Sequence, residues 1–213
     1  MRIAELSARS GVPVPTIKYY LREGLLAAGE RSSPNQASYD EDHLRRLRLI
    51  RALIEVGGLP VAAVGDVLAA VDEPELPMYS LLGVVSASLH QPQIPPDDDE
   101  WQRARTEVAE ALRRKGWDGH HAAPAVGTLT AVLVRMTQLG YTQWGAGAID
   151  TYLDAAERVA ESDVDYVLRA GDRDAVVDGV VVLTVLGDIA LGAARRIAHQ
   201  EVSARRLGVR NRD

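Results

Sequence analysis

The stretch that decides the fold is Arg2-Ile-Ala-Glu-Leu-Ser followed by Gly11-Val-Pro-Val-Pro-Thr-Ile-Lys-Tyr-Tyr-Leu-Arg-Glu-Gly. The first part has apolar residues one helical turn apart, and the Gly-Val-Pro that follows breaks a helix. Pro15 suits the first turn of a second helix, and Gly24 suits its C-terminal end. Two short helices around a tight glycine-containing turn predict a helix-turn-helix.

The next residues continue a small domain. Residues 27–38 are polar and rich in turn formers, which predicts a hairpin or a loop. Asp40 is a good N-cap for a third helix, whose apolar residues recur at helical spacing up to Gly57. Pro60 begins a fourth helix. We therefore place a first domain at residues 1–75.

The rest of the chain shows helical periodicity and no alternating strand pattern. Residues 76–99 form a proline-rich connector, with a short helix over Met78–His90. Residues 100–213 form the last domain, in which the spacing of apolar residues predicts four helices: Glu100–Arg114, Pro124–Gly140, Ala146–Leu168 and Asp174–Leu207.

Composition excludes several functions. The chain of 213 residues has no cysteine, which rules out thiolate-based metal sensing and disulfides. We find no phosphate-binding glycine loop, nucleophile elbow or His-Glu metal motif, so we predict no enzyme, cofactor or metal site, and a polar loop at His120-His121. The most apolar stretch, Val180–Leu191, is interrupted by Asp188, so we expect no membrane span and a cytoplasmic protein.

Charge is distributed unevenly along the chain. Residues 1–58 carry nine Lys or Arg against seven Asp or Glu, whereas residues 59–213 carry 15 against 23. A mildly basic first part before an acidic remainder is consistent with a DNA-binding domain joined to a separate second domain.

Several pieces of the first domain, in their order and spacing, resemble the MerR family of regulators over about residues 1–71. They are Met1-Arg-Ile-Ala-Glu-Leu, Gly11-Val, Thr16-Ile-Lys-Tyr-Tyr, Glu23-Gly-Leu-Leu, Tyr39-Asp-Glu-Asp and Leu44-Arg-Arg-Leu-Arg-Leu-Ile-Arg. The resemblance implies a mainly α fold: an N-terminal winged helix-turn-helix DNA-binding domain followed by an all-helical C-terminal bundle. It also implies a regulator that binds double-stranded DNA and acts on RNA polymerase indirectly.

Candidate DNA contacts follow from the helix-turn-helix and from the resemblance. Side chains near the start of the second helix reach base edges in the major groove, and Thr16, Lys18 and Tyr19 stand there. The resemblance implies that Lys18 contacts bases or backbone, Tyr20 a phosphate, and Arg31 the backbone from the wing. Tyr19 and Tyr20 are alternatively core aromatics. Arg45 and Arg48 are added as candidates, with a solvated helix face as the alternative.

The sequence departs from the family pattern at two places. Pro15 stands where the family usually has Arg or Lys, and Asn35-Gln36-Ala37 replaces a Gly-Tyr-Arg-type wing turn. Fewer contacts with the DNA backbone imply modest DNA affinity for a single N-terminal domain (residues 1–75), called the head below. They also put in question the family's usual distortion of promoter DNA, which needs a strong grip on the backbone.

The long last helix is the predicted dimer seam, because prolines interrupt the segment that usually dimerises in the family. Its apolar residues surround the helix, which predicts burial on all sides. Asp178 and Asp188 lie in this apolar stretch, and Arg135 is a possible partner for them. Together with Trp144, these residues are candidates for binding a ligand. The alternatives are a structural ion pair, a solvated carboxylate or ordinary core.

We therefore predict a dimeric regulator whose helical domain senses a small apolar or amphipathic molecule. The alternatives are a helical domain that docks a protein partner and an architectural DNA binder. An enclosed pocket in the bundle favours sensing, and a solid core with an exposed apolar patch favours docking.

Overall fold

The computed structural model describes residues 1–33, 36–89, 98–119, 122–169, 171 and 173–208. Within them the chain forms one antiparallel hairpin and nine α-helices, which confirms the predicted mainly α class. The elements are α1 Ile3–Ser10, α2 Val14–Arg22, β1 Glu30–Ser33, β2 Gln36–Ser38, α3 Glu41–Arg51, α4 Val61–Val71, α5 Met78–Leu89, α6 Asp99–Arg114, α7 Ala123–Gln138, α8 Ala146–Leu168 and α9 Arg173–Leu207.

The predicted elements agree closely with those observed. The four helices predicted after residue 99 each begin and end within two residues of α6, α7, α8 and α9. The polar stretch over 27–38 contains the hairpin, in which Glu30 pairs with Ser38 and Arg31 with Ala37. The predicted short helix is α5, and His90 and the pair His120-His121 lie outside the described residues.

The chain forms two compact units. Unit 1 comprises Met1–Gly65 together with Val182–Asp213, and unit 2 comprises Asp66–Val181. The helices α4 and α9 contribute residues to both. This grouping differs from the predicted domain boundaries, because the last part of the chain groups with the first part and not with the helices that precede it.

Unit 1 is built around α1, α2 and α3. Leu6, Ile17 and Leu47 are completely buried and form the centre of its core. Asp40 is the N-cap of α3, as predicted, because its side chain accepts a hydrogen bond from the His43 N–H at 3.1 Å. These contacts fix the orientation of the two N-terminal helices on α3.

The part of α9 that belongs to unit 1 approaches the end of α3 at a glycine. The helix α3 continues into a π-helical turn, Ala52–Val56, which the Gly57 N–H closes by donating to the Ala52 carbonyl at 2.9 Å. A Cβ atom at Gly57 would lie 2.5 Å from a methyl group of Val185, which is completely buried. Only glycine allows this close approach of α9 without displacement of the neighbouring atoms.

Unit 2 has its own apolar core on α6. This helix packs against α7 and α8, and α7 packs against α5. The buried cluster consists of Trp101, Ala104, Val108, Ala111, Leu112, Leu133, Val134, Ile149 and Leu153. Asp98 caps α6 by accepting a hydrogen bond from the Trp101 N–H at 2.9 Å.

The prediction that α9 is buried on all sides is wrong for the single chain. Val180, Val181 and Val185 are buried, but from Asp188 onward every described residue of the helix is exposed or half-buried. In the most apolar 18-residue window of α9, only 17% is buried. Among the described residues, α9 is the one helix that is long and apolar enough to cross a membrane. Core helices of soluble proteins can have the same length and composition.

Candidate nucleic-acid interface

The turn between α1 and α2 is held by glycine and by a serine side chain. Gly11 adopts φ +70°, in the left-handed region, and its N–H donates to the Ser7 carbonyl at 2.9 Å. The Ser7 hydroxyl donates to the Val12 carbonyl at 2.6 Å. The next helix starts with Pro15 in its first turn, as predicted. The geometry is that of a helix-turn-helix, with α2 as the second helix.

The outer face of α2 carries one cation that is open to a ligand. Lys18 is exposed and, in the part of the chain that the structure describes, makes no hydrogen bond or ion pair. Thr16 and Tyr19 are half-buried beside it. The guanidinium of Arg22 lies 5.2 Å from the centre of the Tyr19 ring. Three of the predicted residues are therefore accessible on one helix.

Tyr20 has a different environment from Tyr19. Its side chain is only 7% exposed, and burial raises the pKa of its hydroxyl. Glu55 acts in the same direction. This placement favours the alternative that Tyr20 is a core aromatic of unit 1. A phosphate contact through its hydroxyl stays a prediction.

The predicted wing is the hairpin β1–β2. It is joined to the start of the chain, because the Met1 amino group donates to the Tyr39 carbonyl at 2.5 Å and the Tyr39 N–H donates to the Met1 carbonyl at 2.9 Å. The Arg31 backbone pairs with Ala37, while the Arg31 side chain lies outside what the structure describes. Its contact with the DNA backbone stays a prediction.

The arginines of α3 have two different roles. Arg46 donates to the Leu25 carbonyl at 3.3 Å, and Arg51 donates to the Ser10 carbonyl at 3.0 Å, so both hold the N-terminal segments on α3. Arg45 lies 3.8 Å from Asp42, and Arg48 is exposed. The structure thus leaves Arg45 and Arg48, the two arginines predicted as DNA contacts, on the solvent side of the helix.

The predicted ligand residues of the helical part are dispersed. Arg135 is exposed and donates to the Gln138 side chain at 2.6 Å, and the Trp144 ring packs 5.7 Å from the ring of Tyr152. Asp178 is half-buried in unit 2. Asp188 is exposed in unit 1, so the premise of a buried carboxylate fails there.

Unit 2 instead contains a cavity that is broadly open to solvent and that the sequence did not reveal. Its volume is about 560 Å³ and its wall is largely apolar. The residues that line it are Leu112, Gly116, Trp117, Asp118, Gly119, Ala122, Ala125, Val126, Leu129 and Leu153. The volume lies in the range typical of small-molecule sites. Trp117, a large aromatic residue directly after Gly116, is the signal in the sequence that could have pointed to it.

The turn that forms one side of this cavity is anchored to α8. The ammonium of Lys115 lies 2.5 Å from Asp154 and 2.6 Å from Glu157, and these two carboxylates raise the pKa of Lys115. The same ammonium lies 5.9 Å from the centre of the Trp117 ring. Gly119, at φ +66°, allows the turn to approach Leu112 closely. These contacts fix the position of Trp117 in the cavity wall.

Comparisons with known proteins agree with the helix-turn-helix geometry of the N-terminal domain. Residues 1–71 match the family described as the MerR HTH family regulatory protein. A crystal structure of a candidate transcriptional regulator, SCO5550 of Streptomyces coelicolor A3(2), is 39% identical, covers all of both chains and superimposes with a TM-score of 0.79. The chain belongs to the MerR family. Its N-terminal unit carries the family's helix-turn-helix.

Two curated relatives match only a short part of this chain. The nodulation protein NolA of Bradyrhizobium sp. (strain NC92) is 45% identical over 56 residues, which is 26% of this chain and 24% of that protein. The HTH-type transcriptional regulator ZntR homolog of Haemophilus influenzae is 42% identical over 50 residues, 24% of this chain and 37% of that one. The match thus spans about a quarter of NolA. The second of these relatives is named as a transcriptional regulator.

Proposed function

We propose that this MerR-family chain is a homodimeric, cytoplasmic transcription regulator that reads a two-fold symmetric operator through α2. The observation that carries the proposal is the outer face of α2, where an exposed and unpaired Lys18 lies beside Thr16 and Tyr19 in the described part of the chain. Side chains at the start of the second helix contact base edges, whereas cations on flanking elements contact phosphates. Arg48, Arg45 and Arg31 are the proposed phosphate contacts.

A footprint on the DNA upstream of the chain's own gene tests whether α2 recognises a specific DNA sequence. The full chain should protect two half-sites, and Lys18→Ala should change which half-site sequences are preferred. The matched control is Arg103→Ala, which removes an exposed cation from α6 in unit 2. An operator preference unchanged by Lys18→Ala would contradict the assignment of α2 to the bases.

A two-fold operator requires a two-fold protein, and α9 supports that part of the proposal. Ile197 is 63% exposed and Leu207 is 77% exposed, at spacings that place both on one stripe of the helix with Ala190. A single chain leaves this apolar stripe in water. We therefore propose that a second copy covers it.

Ala190→Glu tests the dimer without threatening the fold. Ala190 is exposed in the single chain, so the new carboxylate is hydrated in the monomer but buried against its symmetry mate in the dimer. The cost to association is about 3–5 kcal/mol. The control is Ala198→Glu, an exposed position away from the stripe. Light scattering should show a folded monomer for the first variant and a dimer for the second; two dimers would place the contact elsewhere.

The apolar cavity of unit 2 is the observation that supports effector sensing, and it is open to solvent, unlike the enclosed pocket that we expected of a sensor from the sequence. Its apolar wall and the side of Trp117 suit a small, uncharged, ring-bearing molecule. N-phenyl-1-naphthylamine is a fluorescent probe of that kind. Its fluorescence should rise saturably with the full chain, and Ala125→Phe, which places a ring at the cavity wall, should weaken the binding of the probe. The control Ala109→Phe enlarges an exposed alanine of α6 outside the cavity and should leave it unchanged. Equal binding by both variants would contradict the site.

Docking of a protein partner is the second candidate function, and the exposed stripe of α9 is the observation that favours it. The two functions give different results. A monomeric chain whose stripe is covered only by another protein supports docking. A dimer whose cavity binds the probe supports sensing, with Arg135, Trp144, Asp178 and Asp188 still predictions for ligand contact outside that cavity.

A further inference from the structure

The stripe on α9 has a pattern that specifies how a second copy binds, an inference that rests on the proposed dimer. The stripe consists of Ala190, Ala193, Ile197, Gln200, Ala204 and Leu207, which follow the a and d positions of a heptad. All six are exposed or half-buried in the single chain. The stripe is about 25 Å long at 1.5 Å per residue. It contains one polar residue, Gln200, and no charge.

Two charged residues flank the stripe on opposite sides. Arg196 occupies the g position before Ile197, and Glu201 occupies the e position after Gln200. Both are exposed, and neither forms an ion pair with any residue that the structure describes. The five-residue spacing from Arg196 to Glu201 is the separation at which a g residue meets an e residue of the other helix in a parallel coiled coil.

We infer that two copies of α9 pair in parallel through this stripe, with Arg196 of each chain facing Glu201 of the other. In an antiparallel pair, g residues face g residues and e residues face e residues. Arg196 would then not meet Glu201 in any register. Only the parallel arrangement uses the two charges as two symmetric ion pairs.

Gln200 gives the same answer independently. In a parallel pair, d residues face each other, so the two Gln200 amides lie together and each can donate to the other. In an antiparallel pair, d residues face a residues, and every a residue within the exposed stripe is apolar: Ala190, Ile197 and Ala204. The antiparallel arrangement would therefore bury the amide without a partner.

Covalent cross-linking tests the orientation, because the natural chain has no cysteine. Leu207→Cys should form a disulfide-linked dimer under mild oxidation, since the two introduced thiols meet at the same end of a parallel pair. In the antiparallel register centred on the stripe, the two thiols would be about 25 Å apart. Ala198→Cys, an exposed position outside the stripe, is the control and should not cross-link.

A mixture of Ala190→Cys and Leu207→Cys chains detects the opposite arrangement. Cross-linking between the two variants, with none within Leu207→Cys, would overturn the parallel orientation but leave the proposed dimer standing. A monomeric full chain would overturn both. A monomer that partitions into vesicles of equal parts phosphatidylcholine and phosphatidylglycerol would identify lipid as the occupant and likewise overturn the inference.

Charge reversal tests the pairing itself. Arg196→Glu or Glu201→Arg alone should weaken the dimer by about threefold to tenfold, because each sets like charges opposite each other twice in the symmetric dimer. The combined reversal should restore the affinity of the natural chain. A double variant as weak as the single ones would overturn the pairing of these two residues.

Discussion

Gly57→Ala is the substitution that most directly tests the packing of α9 in unit 1. The backbone at Gly57 has φ −67° and ψ −24°, which any residue adopts without strain. The new methyl group, however, would lie 2.5 Å from the Leu53 carbonyl oxygen and 2.5 Å from the Val185 methyl carbon. The substitution is therefore a test of space and not of backbone conformation.

The size of the effect follows from two opposing contributions. Carbon atoms in contact are normally about 3.5–4.0 Å apart, so the neighbours must move by roughly 1 Å. Overpacking of this kind costs about 1–3 kcal/mol. Replacing glycine in an allowed conformation stabilises by about 0.4–1 kcal/mol through the unfolded chain. We expect Gly57→Ala to lower the free energy of unfolding by up to about 2.6 kcal/mol, the overpacking cost less the gain from replacing glycine.

The assay uses the distribution of tryptophan. All three tryptophans, Trp101, Trp117 and Trp144, lie in unit 2. Urea unfolding followed by circular dichroism reports both units, whereas tryptophan emission reports unit 2. We expect the midpoint from circular dichroism to fall more than the midpoint from tryptophan emission.

The control and the refuting result come from a second glycine. A Cβ atom at Gly65 would lie 3.6 Å from the nearest atom, a methyl carbon of Leu25, which is an ordinary contact. Gly65→Ala should therefore stabilise by about 0.4–1 kcal/mol. Val185→Ala should cost less in the Gly57→Ala background than in the natural chain, by about 0.5–2 kcal/mol. If Gly57→Ala were as stable as Gly65→Ala, α9 would not pack there.

Three further predictions concern the cap, the DNA contacts and unit 2. Asp40→Ala should lower the thermal midpoint by about 2–4 °C, because α3 loses its cap, whereas Asp40→Asn should retain most of it. Arg31→Ala should weaken binding to all DNA sequences. Titrations at several salt concentrations should show that it reduces the slope of the logarithm of the binding constant against the logarithm of salt concentration by roughly 0.9. Lys18→Ala should instead alter which DNA sequences are preferred. Lys115→Met should destabilise unit 2 at neutral pH. Lys115 lowers the pKa of Asp154, so the difference in unfolding free energy should be present at about pH 7, begin to shrink as pH falls below about 4, and be lost at lower pH when Asp154 is protonated in the folded chain as well.

The local elements of this chain could be predicted because their signals are local. The cap at Asp40, the turn at Gly11 and the helix limits depend on residues within one or two turns of each other. The same holds for the family resemblance of residues 1–71, which depends on short pieces in a fixed order.

What could not be predicted depends on residues distant in sequence. Nothing in the pattern of α3 distinguishes Arg46 and Arg51, which donate to carbonyls of the N-terminal segments, from Arg48, which is exposed. The cavity likewise needs the turn at Trp117 to be anchored on α8. The burial of α9 was overestimated because periodicity shows that a face is apolar and does not show whether the same chain covers it.

The exposed stripe of α9 and the weak DNA binding that we predict for a single N-terminal domain are consistent with each other. Pro15 and Ala37 stand where the resemblance places basic or wing contacts, so a single head has fewer groups for the DNA backbone. A second head held at the same operator binds as an intramolecular event, which raises the effective concentration without any new contact. The C-terminal part of α9 belongs to the same unit as α2. The proposed dimer contact therefore lies in the unit that contains the DNA-binding helix.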